Sequence, residues 1–149
     1  MPRFPPLETQ GKVGCRPSQS AKQRIRNKLR KVTSRKRPGK LDDIVKEINR
    51  IIVGWINYYK IGYMKSFVIE LQGWLHHRLR QLIWKRWKKV STRYRWLRKL
   101  GIGHDEALKS AASRKGYWRI SRSEILHRAL PNKKLAQWGL KDLVHLYER

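Results

Sequence analysis

Acidic residues, cysteines and long hydrophobic runs are all scarce in this sequence. Only 10 of the 149 residues are Asp or Glu, against 37 Lys and Arg, so the formal net charge is +27. A folded chain with this charge repels itself, and nucleic acid is the polyanion that most often supplies the counter-charge. A surface that is merely soluble normally mixes both signs of charge. RNA or DNA is therefore the expected partner, and an anionic membrane surface is the alternative.

The single cysteine, Cys15, excludes an internal disulfide and a zinc site built from several cysteines. A reducing cytoplasm is the expected location. No apolar run approaches the roughly 18 residues that a membrane-spanning helix needs. Prolines near the N-terminus stand where a signal peptide has its apolar segment. We therefore expect neither secretion nor membrane insertion.

No catalytic or metal-binding pattern is recognisable. His76 and His77 are adjacent, so on a helix they point in different directions, and the other histidines lack partners three or four residues away. Caps and surface positions account for these histidines better than a metal does. Asp42 and Asp43 are adjacent, but they open a predicted helix, where the macrodipole favours negative charge. The sequence predicts no catalytic residue, no metal and no cofactor.

Apolar residues recur every three or four positions through most of the chain, which is typical of amphipathic helices, and no strand alternation is visible. The predicted fold class is all-α, a small thumb-like helical bundle followed by several short helices. Residues 1–16 are expected to be an extended lead-in, residues 17–100 the bundle, and residues 101–149 a short-helix extension.

Local signals set the expected helix boundaries. Ser18 can cap a first helix that reaches Lys36, a second helix begins near Leu41, and a long third helix begins near Lys65. The third helix should be interrupted at residues 90–92, before a shorter fourth one. Gly54 costs its helix roughly 1 kcal/mol relative to alanine, which suggests close approach of a neighbouring helix.

Two capping signals organise the last third of the chain. Ser121 with Glu124 three residues later has the pattern of a capping box. Asn132 can cap a last amphipathic segment that continues through Leu146.

The stretch from Leu71 to Lys99 combines a helical apolar stripe with many cations and no carboxylate. Trp84, Trp87, Tyr94 and Trp96 are interleaved with the cations, and RNA recognition uses both base stacking and phosphate neutralisation. We predict an RNA-contacting helix here.

One face of this helix is expected to be free and the other packed. The apolar face, including Trp74, should pack on Ile48, Ile52 and Trp55. The candidate RNA-binding residues are the cations of this stretch and a basic-aromatic loop after it: Arg78, Arg80, Lys85, Lys88, Lys89, Arg93, Arg95, Lys99, Arg114, Lys115, Tyr117 and Trp118.

Several segments in order resemble one known family. They are GKVGCRPS, LDDIVKEINRIIVGWINYYKIG, LRQLIWKRWKK, and the C-terminal stretch containing SRKGYW, ILHRAL and GL-x-x-L. Together, over residues 11–149, they resemble the thumb and maturase-specific region of bacterial group II intron reverse transcriptases. The resemblance implies a mobile-element protein that binds intron RNA and assists its splicing. The fingers and palm, with the Tyr-Ala-Asp-Asp polymerase centre, and the endonuclease tail have no counterpart in the sequence.

The leading hypothesis is a non-catalytic RNA-binding maturase domain, in which the intron RNA performs the transesterifications. A second hypothesis makes the chain the thumb of a split or truncated reverse transcriptase, completed by a separately encoded fingers-palm polypeptide. A duplex DNA-binding helix-turn-helix protein fits the charge but not the aromatic content. A non-functional remnant stays open as well.

Overall fold

The computed structural model describes residues 6–9, 12–15, 17–34, 36–59 and 64–148. Within these ranges the chain forms nine helices and a two-stranded antiparallel hairpin. In chain order the elements are β1 (Pro6–Thr9), β2 (Lys12–Cys15), α1 (Gln19–Val32), α2 (Leu41–Tyr59), α3 (Lys65–Arg86), α4 (Val90–Lys99), α5 (His104–Ala111), α6 (Tyr117–Ser121), α7 (Glu124–Ala129), α8 (Asn132–Gln137) and α9 (Leu143–Glu148). The predicted all-α class is confirmed for the body of the protein.

The hairpin was not predicted. β1 and β2 pair Leu7 with Gly14 and Glu8 with Val13, within the segment that was expected to be an extended lead-in. Each strand has four residues. Strands this short are at the lower limit of the length over which an alternating pattern indicates a strand.

α1 begins at the cap that the sequence predicted. The Ser18 hydroxyl accepts a hydrogen bond from the Ala21 backbone N–H at 3.2 Å, which satisfies one of the unpaired donors of the first turn. The helix ends at Val32 rather than at Lys36. Its end is closed by the Thr33 hydroxyl, which donates to the Leu29 carbonyl at 2.6 Å.

α2 supplies the apolar face at the centre of the core. Its buried residues recur at helical spacing: Ile44, Val45, Ile48, Ile52, Ile56 and Tyr59. The explanation offered for Gly54 was wrong. Gly54 is exposed, and a Cβ atom placed on it would meet no atom within 4 Å. This glycine faces open space instead of a neighbouring helix.

α3 is the central helix of the fold, and α1, α6 and α9 all pack against it. Side chains on several of its faces are buried, including Leu75, Leu79, Arg80 and Gln81. The side that carries Arg78, Lys85 and Lys88 was predicted to be free for RNA. Arg78 and Lys85 are instead half-buried, while Lys88, which lies beyond the end of the helix, is exposed. The helix ends at Arg86, earlier than the interruption predicted at residues 90–92, and α4 begins within that range.

The C-terminal helices fold back onto α2 and α3. The Gln72 side-chain oxygen accepts hydrogen bonds from the N–H groups of Leu143 at 2.7 Å and Val144 at 3.4 Å, at the start of α9. The Asn49 amide donates to the Gly139 carbonyl at 2.7 Å and accepts from the Lys141 N–H at 2.9 Å. Two polar side chains of the bundle thus fix the path of the last segment.

Three predictions about this segment were wrong. Ser123, not Ser121, caps α7 and accepts from the Leu126 N–H, while Ser121 is buried at the end of α6. Pro131, not Asn132, holds the N-cap position of α8. The last amphipathic segment is also two helices rather than one, separated at Gly139, whose φ of 105° favours glycine.

Every helix contributes buried apolar side chains to the hydrophobic core. Burial of each large aliphatic side chain stabilises the fold by about 1.5–3 kcal/mol, which counters the repulsion among the surface cations. In the described part of the chain, no helix has the length and apolar character needed to cross a bilayer.

Candidate nucleic-acid interface

Four predicted RNA-binding cations lie on the surface at and after the end of α3. Lys88 and Lys89 occupy the turn before α4, and Arg95 and Lys99 lie on α4 itself, all exposed. The first turn of α4 has no acidic residue and its N-cap makes no side-chain hydrogen bond. The unpaired N–H groups and the helix dipole therefore add to the positive charge of this end. Phosphate groups can reach all four side chains.

The predicted basic-aromatic loop is partly helical. Arg114 and Lys115 are exposed in the turn before α6, but Tyr117 and Trp118 form the start of α6 itself. Tyr117 is half-buried, while Trp118 is 36% exposed and its ring centre lies 5.9 Å from that of His77. Trp118 is thus the more accessible of the two aromatic side chains.

Arg80 does not belong to the RNA-binding set. Its side chain is 2% exposed, and it donates to the Leu130 carbonyl at 2.8 Å and to the Asn132 side-chain oxygen at 2.9 Å. Burial lowers the pKa of its guanidinium from the ordinary value. The prediction was wrong because the interior of this protein uses an arginine to bind an otherwise unpaired carbonyl at the end of α7.

Other α3 cations also make bonds within the fold. Arg78 donates to the Thr33 hydroxyl at 3.1 Å and to the Arg30 carbonyl at 3.0 Å, at the end of α1. Arg86 donates to the carbonyls of Gly39 and Arg37 in the α1–α2 connection. Arg78 is half-buried, as is the predicted Lys85. Arg78 and Lys85 are therefore less available to RNA than the exposed cations of α4.

The aromatic residues interleaved with these cations mostly form packing contacts. Trp84 and Trp87 are buried, and the half-buried Trp96 stacks on Trp87 with the ring centres 5.6 Å apart and the planes at 3°. The Arg93 guanidinium lies 4.5 Å from the Trp84 ring centre and 6.0 Å from that of Tyr117. These contacts join α3, α4 and α6, so Arg93 has a structural role beside any contact with RNA.

The sequence-based site left out the cations of α1. Arg24, Lys28, Arg30 and Lys31 are exposed on this helix, which contains no acidic residue. Lys28 and Lys31 also line an open concavity together with the cations that follow α1: Lys36 and Arg37. The spacing of four residues between Arg24 and Lys28 was visible in the sequence, and it places both on one side of the helix.

His76 is buried and His77 is half-buried, so neither is the cap or surface residue that was predicted, whereas His127 is exposed, as a surface position requires. Burial lowers the pKa of His76 to about 4, with Arg80 adding to the effect, and His76 hydrogen-bonds Asn132. His77 and His127 have ring centres 5.2 Å apart, and burial lowers both of their pKa values as well. Among the residues described, no group of three His, Cys, Asp or Glu side chains could hold a metal ion.

The chain from α1 to the end of α4 matches a family model. The model is that of the group II intron, maturase-specific domain, and it matches residues 22–101, more than half of the chain. The protein belongs to this family. A comparison with curated proteins found no significant match.

The maturase-specific domain is the non-catalytic domain of proteins in this family. The match therefore supports a maturase-related role for this protein. The match includes the exposed cations of α1 and α4, whereas α5 to α9 lie beyond it.

Proposed function

We propose that this maturase-specific domain binds group II intron RNA and assists its folding and splicing, without performing the chemistry itself. The family match over residues 22–101 carries the proposal. The exposed cations of α1 and α4 support it, because they are accessible to a phosphate backbone and no acidic residue lies on either helix. Phosphate contacts of this kind fix the position of a protein on RNA.

A salt titration tests RNA binding directly. A group II intron transcript is titrated with the protein at several salt concentrations, and the logarithm of the affinity should fall linearly with the logarithm of the salt concentration. Each neutralised phosphate contributes about −0.7 to −0.9 to the slope, because it releases a condensed counterion. A slope near zero would defeat the proposal.

Variants show which cations carry the binding. Replacing Lys88, Lys89, Arg95 and Lys99 together by glutamine should make the slope shallower by about one for each phosphate that is no longer neutralised. Replacing four exposed lysines elsewhere by glutamine is the matched control and should change the slope little: Lys46, Lys109, Lys133 and Lys141. Arg78 is left intact, since its bonds to the end of α1 would confuse a binding defect with a folding defect.

Specificity and assistance to splicing need separate measurements. Duplex DNA of equal length should compete less well than the intron transcript, since a helix-turn-helix protein would show the opposite order. The rate of splicing of the transcript should rise on addition of the wild-type protein and rise less with the four-residue variant. Tight binding with no change in splicing rate would contradict the maturase role while leaving RNA binding intact.

A further inference from the structure

A groove between α1 and α2 combines cations with an apolar, aromatic floor. Its volume is about 370 Å³. The lining residues come from both helices: Ala21, Arg24, Ile25 and Lys28 from α1, and Arg50, Ile51, Gly54, Trp55, Tyr58 and Tyr59 from α2. Three of these are cations and none is a carboxylate. Among the described side chains, the nearest carboxylate to Arg50 is that of Glu47, at 4.0 Å, and Glu47 is also hydrogen-bonded to Arg37.

The aromatic side chains of the groove pack against the core on one side and are accessible to solvent on the other. Trp55 packs against Tyr59 with ring centres 4.5 Å apart and against Phe67 with ring centres 5.5 Å apart, so its position is fixed by the core. Tyr58 is 45% exposed, an unusual degree of exposure for a large aromatic side chain in this fold. The Tyr58 ring also contacts the Tyr59 ring, with ring centres 4.8 Å apart, so a planar ligand can reach an aromatic surface that the core holds in place.

Gly54 keeps the groove open. It lies in the middle of α2, where glycine is unfavourable to a helix, and a Cβ atom on it would meet no atom within 4 Å. The packing of the helices therefore does not require a glycine at this position. Because Gly54 lies on the groove between Arg50 and Tyr58 along one side of α2, a larger side chain there would fill the space beside both.

We propose that this groove binds one unpaired nucleotide of a single-stranded RNA segment. The base stacks on the aromatic surface of Tyr58 and Trp55, over Gly54, and the adjoining phosphates lie against Arg24, Lys28 and Arg50. A nucleotide fits because it is both planar and anionic, as the groove is both aromatic and cationic. This inference rests on the proposed RNA binding and adds a second contact region, on the side formed by α1 and α2.

The surface next to the groove, at the end of α1, is positively charged as well. Lys28 lines both the groove and the open concavity at the end of α1, whose remaining cations are Arg30, Lys31, Lys36 and Arg37. No carboxylate lines that concavity either. A strand with one base in the groove can therefore extend its phosphates from Lys28 toward Arg30 and Lys31, whereas Arg37 is already paired with Glu47.

The test compares two labelled oligomers of equal length and charge, an oligouridylate and its abasic ribose-phosphate counterpart. The wild-type chain should bind the oligouridylate roughly tenfold more tightly, which is the size of effect that stacking of a single base supports. Gly54→Leu should remove this preference by filling the groove while keeping the affinity for the abasic oligomer. Equal binding of both oligomers by the wild-type protein would overturn the proposal.

Gly73 provides a matched control on another helix. It lies within α3, is exposed, and a Cβ on it would also meet no atom within 4 Å, so Gly73→Leu makes the same change away from the groove. This variant should keep the full preference for the oligouridylate. Loss of the preference in Gly73→Leu as well, or its survival in Gly54→Leu, would contradict the assignment of the groove.

The unfolding temperature shows whether Gly54→Leu still folds. Leucine favours a helix more than glycine does, so the unfolding temperature of Gly54→Leu should be no lower than that of the wild type.

A second variant tests stacking directly. Tyr58→Leu keeps apolar bulk at an exposed position but removes the aromatic face, and it should also lose the base preference. Retained preference in Tyr58→Leu would overturn the stacking model.

Competition identifies the class of ligand. An acidic peptide that contains aromatic residues, or anionic lipid vesicles, should displace the oligouridylate no better from the wild type than from Gly54→Leu. Stronger displacement from the wild type would assign the groove to that other ligand.

The salt-dependent binding of the intron transcript is measured in parallel. If that binding persists while the base preference is absent, only the groove assignment fails, whereas loss of both defeats the proposed function too.

Discussion

Some arginines and histidines of this protein are buried and have structural roles, although residues of these types usually lie on the surface. Arg80 and His76 are both polar and both buried, and each bonds to Asn132 near the start of α8. The protein keeps the arginine charged by giving it hydrogen-bond acceptors and keeps the histidine neutral by burying it. A proton added to His76 would place a second positive charge beside Arg80.

His76 should make stability depend on pH. Its pKa is about 4 in the folded chain and 6.5 as the reference value, so between these values the unfolded chain binds more protons. Stability should therefore be greatest above pH 6.5 and fall by roughly 3 kcal/mol as the pH decreases toward 4. Urea unfolding measured by circular dichroism across this range checks the prediction.

The matched variants are His76→Gln and His145→Gln. His76→Gln cannot titrate, so its stability should fall less steeply between pH 6.5 and 4 than that of the wild type. His145 is exposed on α9, and its replacement should leave the slope unchanged. An unaltered slope in His76→Gln would show that another group is responsible.

At the level of whole elements, the arginines of α3 bind the ends of neighbouring elements. Arg78 bonds to the end of α1, Arg80 to the end of α7 and Arg86 to the connection between α1 and α2. The last carbonyls of a helix have no partner within it, and a guanidinium from a neighbouring helix supplies one. These bonds link the packing of α3 to the correct termination of the surrounding helices.

Arg80→Met should therefore destabilise the fold. The replacement keeps most of the apolar stem but leaves the Leu130 carbonyl and the Asn132 side-chain oxygen without this donor. The cost should be about 1.5–3 kcal/mol, the range for removal of a hydrogen bond to a charged group. Arg95→Met, at an exposed position on α4, is the control and should change the free energy of unfolding little. Equal stability of the two variants would refute the structural role of Arg80.

The sequence was sufficient to predict the long helices, but not the N-terminal hairpin or the surfaces that the helices present. Helical periodicity identified α1 and α2, because the buried residues of each lie on one side, and local signals such as the Ser18 cap gave their starts. For α3, periodicity did not predict which side chains are exposed, because the helix is enclosed by several others and buries polar residues such as Arg80 and Gln81. Only the folded chain reveals whether an arginine faces a carbonyl or solvent.

The sequence predicted one part of the candidate interface, the exposed cations at and before α4, but not the α1–α2 groove. Lys88, Lys89, Arg95 and Lys99 are exposed, as a charged surface requires, because short helices and turns leave long cationic side chains in solvent. The α1–α2 groove could not be predicted from either helix alone. It depends on how Arg24 and Lys28 of one helix lie beside Gly54 of the other, which is a property of the packing angle.

At the scale of the whole molecule, the net charge of +27 opposes folding, since compaction brings like charges together. Within the described residues, the acidic side chains are too few to neutralise this charge, and the ion pairs they form are mostly at least partly exposed. Such exposed pairs contribute little to stability. The hydrophobic core must therefore counter a repulsion that depends on the surrounding ions.

Stability should consequently rise with salt, before any RNA is added. Raising the NaCl concentration shortens the screening length, so the unfolding temperature should increase steadily from low to moderate ionic strength. Replacing exposed cations by glutamate at Lys28, Lys88 and Lys133 should raise the unfolding temperature at low salt and flatten its dependence on NaCl. An unfolding temperature that is independent of salt would contradict this account. RNA that binds the folded chain should act in the same direction at lower ionic concentration, because it supplies both screening and the free energy of binding.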